Sequence, residues 1–238
     1  MRIGLLQCDD VAEPLRTRHG NYPDMLQTLL DAVDPNLEFR VWQCHQGDIP
    51  DVDANVDAWI TTGSQCGAND STPWIQDLSE FIRRLWEARR PLVGICFGHQ
   101  LIAQSLGGRV QKSPNGWGVG VMEHELIVRQ PWMSPWIGDR IRLLSSHQDQ
   151  VVALPDEGVV LAGSKFCPIY MMQVGKTFLG LQGHPEFPKA YAADLMDRRR
   201  DIIPPIRVEA GTRSLRLTVD DMAMGRWILN FMRYAARE

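Results

Sequence analysis

One cysteine carries glycine two residues away on each side, in the stretch Pro91-Leu92-Val93-Gly94-Ile95-Cys96-Phe97-Gly98-His99-Gln100. An apolar run, a Gly-x-Cys-x-Gly turn and then a helical segment make a nucleophile elbow, a sharp strand-to-helix turn that leaves its central side chain exposed. Gly94 and Gly98 allow the sharp turn. Cys96 is then expected at the carboxyl end of a strand and at the N-terminus of a helix, where the dipole favours an anion. The Phe97 backbone N–H points at the same place, as one oxyanion donor. A nucleophilic thiol needs a base, and the base needs an orienter. Among six histidines, His184 in Leu181-Gln182-Gly183-His184-Pro185-Glu186-Phe187 follows an apolar run, so it can reach the same sheet edge. Glu186, two residues on, can bond the other ring nitrogen across a proline-stiffened turn.

The elements around these residues read as alternating strands and helices in the first half. Ile3 to Cys8, Leu37 to Gln43, Asp57 to Thr62 and Leu92 to Ile95 read as strands. Asn21 to Val33 carries Met25, Leu26, Leu29, Leu30 and Val33 at helical spacing. A second helix opens at Thr72-Pro73 with proline at its first position; Ile75, Leu78, Ile82 and Leu85 form its buried stripe. Arg89-Arg90 are expected in its last turn, before Pro91 stops it. Phe97 to Leu106 follows as a helix ending at Gly107-Gly108. This order predicts a doubly wound, mostly parallel α/β sheet. The second half adds short strands at Val119 to Val128, Ile141 to Leu144, Val159 to Ala162, Ile169 to Val174 and Thr177 to Leu181. Gly175-Lys176 reads as the hairpin turn between the last two. Helices return at Pro188 to Asp201, stopped by Pro204-Pro205, and at Thr218 to Ala235. No repeat or linker divides the chain, so residues 1–238 are expected to form one domain, with a core to about 187 and C-terminal helices over 188–238.

Composition excludes several classes. The 238 residues carry a formal charge of −4, against a protein built to hold a phosphate backbone. No run approaches the roughly 18 uncharged apolar residues of a membrane span, and the first ten residues turn acidic too soon for a signal peptide. Five cysteines, Cys8, Cys44, Cys66, Cys96 and Cys167, contain no CxxC pair, so neither a disulfide framework nor a cysteine zinc site is expected and a reducing cytoplasm is. No metal or organic cofactor is implied. Gly116-Trp117-Gly118-Val119-Gly120 reads as a turn into a strand, Arg198-Arg199-Arg200 as a solvated helix end, Cys66 as a bystander, and the tryptophans as core.

The two motifs, Gly94 to Gln100 and His184-Pro185-Glu186, together resemble the class I glutamine amidotransferase family, triad glutaminases of flavodoxin-like fold. The resemblance runs from the first strand to roughly Phe187. It implies a glutamyl thioester on Cys96, with His184 as base and acid and Glu186 as orienter. It implies an oxyanion hole from the N–H groups of Phe97 and Gly63, because Thr61-Thr62-Gly63-Ser64 stands where the family's oxyanion strand ends. It also implies substrate contacts from Ser64, Gln100, Ser146 and His147. The last two lie in Ser145-Ser146-His147-Gln148-Asp149-Gln150, which resembles the family's glutamine-covering loop with Gln148 where many members have glycine. His99 reads as structural. The chain has no P-loop and no Ser-Gly-Gly pyrophosphatase loop, so any ammonia-using synthetase would be a separate partner. Gln182 to Phe187, Thr62-Gly63-Ser64 and Pro73-Trp74-Ile75 resemble the stand-alone GMP synthase-like members, some relatives of which are γ-glutamyl peptidases. The expected reaction on a small molecule is hydrolysis of glutamine with release of ammonia; cleavage of a γ-glutamyl peptide or conjugate is the first alternative. A partner-dependent regulatory or glutaminase subunit is the remaining alternative.

Overall fold

A computed structural model describes residues 1–237. Strands β1 (Arg2–Leu6), β2 (Glu38–Trp42), β3 (Ala58–Thr61) and β4 (Leu92–Ile95) alternate with helices α1 (Leu15–His19), α2 (Tyr22–Asp31), α3 (Pro73–Glu87) and α4 (Phe97–Ser105). The second half supplies β5 (Arg109–Lys112), β6 (Gly118–Leu126), β7 (Arg140–His147), β8 (Asp149–Ala153), β9 (Gly158–Gly163), β10 (Met171–Val174) and β11 (Phe178–Leu181), then α5 (Lys189–Arg198), α6 (Pro205–Ser214) and α7 (Asp221–Ala235). The central sheet has nine strands in the order β2-β1-β3-β4-β11-β10-β9-β6-β7. The ladders from β2 to β11 are parallel, and those from β11 to β7 antiparallel. The parallel portion has the strand order of a flavodoxin-like doubly wound sheet, with β11 as its fifth strand.

Both faces of the parallel strands are buried, so their side chains alternate between two apolar layers. Ile3, Leu5, Ile60, Val93, Ile95, Leu179 and Leu181 meet Leu26, Leu30, Trp227, Ile228 and Phe231 on one face. Leu6, Trp59, Leu92 and Phe178 meet Leu78, Phe81, Ile82, Leu101 and Ile102 on the other. Asn21 caps α2 in a reciprocal capping box with Asp24, which satisfies helix-end N–H groups that would otherwise be orphaned.

Several elements depart from the sequence reading. Arg89 and Arg90 lie beyond α3: Arg89 takes a left-handed φ of 53°, and Arg90 bonds the Val56 carbonyl. Strands β5 and β8 form a separate two-stranded sheet; β5 buries only Val110 among its four residues, so it carries no period for the sequence to display. Helices α1 and α6 were not expected. Helix α5 ends at Arg198, short of the expected Asp201 and before the prolines are reached; Pro205 instead opens α6, where its missing N–H costs nothing.

Candidate active site

The elbow is built by close packing of backbone. Cys96 has φ 49° and ψ −95°, a conformation that costs a non-glycine residue on the order of 1–3 kcal/mol. A Cβ on Gly94 would come 2.5 Å from the Gly98 carbonyl, and one on Gly98 would come 1.7 Å from Thr61 Oγ1. Both glycines are therefore sterically required. The Cys96 N–H donates to Leu181 O at 2.7 Å, and the Ile95 N–H to Thr61 Oγ1 at 3.1 Å. Two neighbouring strands thus hold the strained turn.

His184 enters from the end of β11. Its N–H donates to Leu144 O at 2.8 Å, its ring stacks on Phe187 at 3.8 Å, and its Nδ1 donates to Glu186 Oε1 at 2.8 Å. That bond leaves Nε2 for the cysteine, which lines the same small cleft as His184 and acts on its ring electrostatically. Burial opposes charge on the imidazole, but the Glu186 carboxylate and the Cys96 sulfur outweigh it and push His184 up to about 10. A strong base beside a thiol can take its proton and later release it to a leaving amine.

Gly63 lies against this pair: a Cβ there would be 2.8 Å from His184 Cε1 and 3.7 Å from Cys96 Cβ. The Thr62 hydroxyl accepts from the Cys8 N–H at 2.8 Å and donates to Gly63 O at 2.9 Å, which fixes the end of β3. Phe97 is the first residue of α4, so its N–H has no partner within the helix.

A pocket of about 250 Å³ opens beside Cys96 and is lined by Ser64, Gln100, Ser146 and His147, the four positions expected to touch substrate. Their bonding differs from a simple ligand cradle. Gln100 Nε2 donates to Asp149 O at 2.8 Å and to Gln182 Oε1 at 3.2 Å, and Gln182 Nε2 reaches Cys96 Sγ at 3.5 Å. Gln182, fully buried, therefore touches the sulfur; its place in the motif before His184 was the only sequence sign of it. His147 is buried with both ring nitrogens unpartnered. Burial, with His184 nearby, pushes it down to about 3, so it is neutral.

Three residues given no role at the site by the sequence also line this pocket: Cys66, read as a bystander, Trp117, read as part of a turn and as core, and Arg199, read as a solvated helix end. Arg199 caps α5, donates to Ser146 Oγ at 2.7 Å and lies over the Trp117 ring at 5.9 Å. Its neighbours behave as the sequence reading expected, Arg200 pairing with exposed Asp197 at 2.6 Å. His99 is structural: it is fully buried, and its Nε2 bonds Ile169 O at 3.1 Å. Among the described residues no cluster of three or more His, Cys, Asp or Glu side chains could hold a metal, and no helix is long and apolar enough to cross a membrane.

The class I glutamine amidotransferase family model matches residues 34–194, and the chain belongs to that family, whose enzymes act on an amide C–N bond. It is 30% identical over 200 residues to γ-glutamyl peptidase 3 of Arabidopsis thaliana, covering 82% of this chain and 79% of the relative. A shorter match, 39% identical over 97 residues, covers 40% of this chain and 50% of a glutamine-hydrolysing GMP synthase subunit from Methanococcoides burtonii. In fold the chain is similar to a glutamine amidotransferase of Thermotoga maritima, with a TM-score of 0.72 and 18% identity over 100% of this chain and 98% of that one.

Proposed function

We propose that this chain hydrolyses a γ-glutamyl amide through a thioester on Cys96. His184 takes the Cys96 proton as the sulfur attacks the amide carbonyl, and the carbonyl oxygen becomes an oxyanion between the N–H groups of Gly63 and Phe97. The imidazolium then protonates the leaving nitrogen as the C–N bond breaks. A water enters, gives its proton to His184, and attacks the thioester; the proton returns to sulfur as free glutamate leaves. Glu186 keeps Nδ1 protonated so that Nε2 does this work. The carrying observation is the contiguous chain from the strained Cys96 through His184 to the Glu186 carboxylate at 2.8 Å.

Arg199 gives the substrate its handle. A guanidinium with one arm on Ser146 retains donors for a carboxylate, and Arg is the residue suited to a planar bidentate partner. The α-carboxylate of a γ-glutamyl group fits that position. Residues 1–238 are proposed to act as one domain, because Arg199 and Ile202 from the C-terminal segment complete a pocket otherwise built by the core.

Between ammonia and a larger amine as leaving group, the peptide reading is favoured by a specific observation. The γ-glutamyl peptidase match spans four-fifths of this chain, whereas the GMP synthase match spans two-fifths. A separate synthetase as ammonia acceptor is the second reading. The test is turnover of glutamine, glutathione and an α-glutamyl control by purified chain, with intact-mass analysis after a glutamine-like chloroketone. One adduct lost in Cys96→Ser, and release of glutamate from γ- but not α-linked compounds, is expected. Absence of both adduct and turnover overturns the reading.

A further inference from the structure

The pocket beside Cys96 is lined by one charge of each sign without an ion-pair partner in the protein. Arg199 gives an N–H to Ser146 Oγ at 2.7 Å and, among the described residues, pairs with no carboxylate. Asp149 is half-buried and lines the same pocket. Among the described residues its carboxylate accepts no hydrogen bond and forms no ion pair. Lys112 stands opposite it in the β5–β8 ladder and acts on it only at a distance. Burial pushes the Asp149 carboxyl up from its ordinary range, and Asp70 adds to the rise. Taking a carboxylate out of water is costly unless a cation or N–H donors replace the water.

The backbone fixes where this carboxylate stands. Asp149 is the first residue of β8, and its carbonyl accepts from Gln100 Nε2 at 2.8 Å. Gln100 also donates to Gln182 Oε1, and Gln182 Nε2 reaches Cys96 Sγ at 3.5 Å. Two side chains therefore tie Asp149 to the nucleophile. Its Oδ2 lies 3.6 Å from where a Cβ on Gly67 would stand, and Gly67 lines the pocket as well. That oxygen is thus at the pocket wall. Arg199 reaches the same pocket from a different element, the cap of α5. A cation and an anion that line one pocket of about 250 Å³ without pairing leave a zwitterion to fit between them.

We propose that Asp149 is a specificity-determining residue: it binds the α-ammonium of a γ-glutamyl substrate while Arg199 takes the α-carboxylate. This rests on the proposed hydrolysis and on the proposed role of Arg199. It defines a chemical class of substrate, a γ-glutamyl group whose α-amino group is free and charged. N-acylated glutamine, and γ-glutamyl units acylated on their own nitrogen within a chain, are rejected. They bring no ammonium, so binding them would bury the Asp149 carboxylate unpaired.

The assay pairs whichever γ-glutamyl amide turns over with its glutaryl analogue, which lacks only the α-amino group. Wild type is expected to lose about 10- to 150-fold in kcat/KM on the analogue, the range for a hydrogen bond to a charged group. Asp149→Asn keeps the side-chain shape and the backbone carbonyl that Gln100 uses. It should lose a similar factor on the γ-glutamyl amide, in KM with kcat nearly unchanged, and converge with wild type on the analogue. An aspartate with a merely structural role would penalise both substrates alike. Equal penalties in the variant, or a wild type that accepts the glutaryl analogue as well as the parent, overturns the proposal. If no γ-glutamyl amide turns over, the proposed activity fails on its own, and protection of Cys96 from iodoacetamide decides the role of Asp149. L-glutamate should then protect wild type at a lower concentration than glutarate and lose that advantage in Asp149→Asn. Equal protection of wild type by the two compounds overturns the proposal.

Discussion

Replacing Arg199 by Met is the sharpest test of substrate recognition. The guanidinium is half-buried, braced by Ser146 at 2.7 Å and by the Trp117 ring, and it lines the same pocket as Cys96. A carboxylate about 3 Å away would gain a gross attraction of about 5 kcal/mol at an effective dielectric constant near 20. Desolvation of both partners removes much of that, so a net of about 1.5–3 kcal/mol is the expectation for a hydrogen bond to a charged group. The loss converts to roughly a 10- to 150-fold fall in kcat/KM, since about 1.4 kcal/mol is tenfold. The α-carboxylate is bound equally in the ground and transition states, so the loss should appear in KM with kcat nearly unchanged. The assay pairs wild type and Arg199→Met with a γ-glutamyl amide and with its 4-aminobutyryl analogue, which lacks the α-carboxylate. The variant should penalise the first and barely change the second. Equal penalties on both substrates would refute the carboxylate contact and leave Arg199 as a support for Ser146.

Gly98→Ala should damage both stability and activity. The new methyl would lie 1.7 Å from Thr61 Oγ1, and such overpacking costs about 1–3 kcal/mol, to be read as a lowered melting temperature with a further loss of Cys96 labelling. Glu186→Gln keeps an acceptor for Nδ1 but removes the charge that helps hold His184 near 10. Its kcat should fall by about 10²-fold less than that of Cys96→Ala, because an orienter is less costly to lose than a nucleophile; an equal loss would contradict that division of roles. Burial pushes His124 and His147 down to about 3 and His99 to about 4. Each has a folded-state pKa below its unfolded value of about 6.5, so the unfolded chain binds the extra proton as pH falls. Stability should therefore decline below pH 6.5, each histidine adding up to about 1.4 kcal/mol per pH unit. His184, shifted the other way, keeps its contribution there and loses it as pH rises toward 10. Urea melts at pH 7 and pH 5 should differ less for His124→Phe than for the wild type; an unchanged difference would show that His124 is not buried neutral.

The parts of the site that were legible in the sequence depend on local pattern. Glycines at 94 and 98 mark a close approach of backbone, and the structure supplies the atoms they avoid, Thr61 and the Gly98 carbonyl itself. The apolar run from Leu92 to Ile95 marks a strand buried on both faces, and its bounds match β4. What was not legible depends on which way one residue in a run faces. Arg198, Arg199 and Arg200 are indistinguishable as letters, but α5 ends among them, with Arg198 its last residue and Arg199 its cap, and of the three only Arg199 lines the pocket. Strand β5 hides for another reason, with one buried residue in four.

The site is also a product of long-range pairing. The Cys96 N–H is held by Leu181 and the sulfur is touched by Gln182, 86 residues away. Strand β11 joins β4 in a four-residue parallel register, Leu181 opposite Ile95, so the last residue before each loop is fixed relative to the other. Neither loop can drift alone. A strained φ at Cys96 persists only where surrounding structure over-determines it, and here the determinants come from two strands and one helix: Thr61 on β3, Leu181 on β11 and Gly98 in α4. The same ladder that anchors the strained cysteine therefore delivers His184 beside it. Any change that loosens β11 should weaken the elbow and separate the base from the thiol together, rather than lowering one contribution at a time.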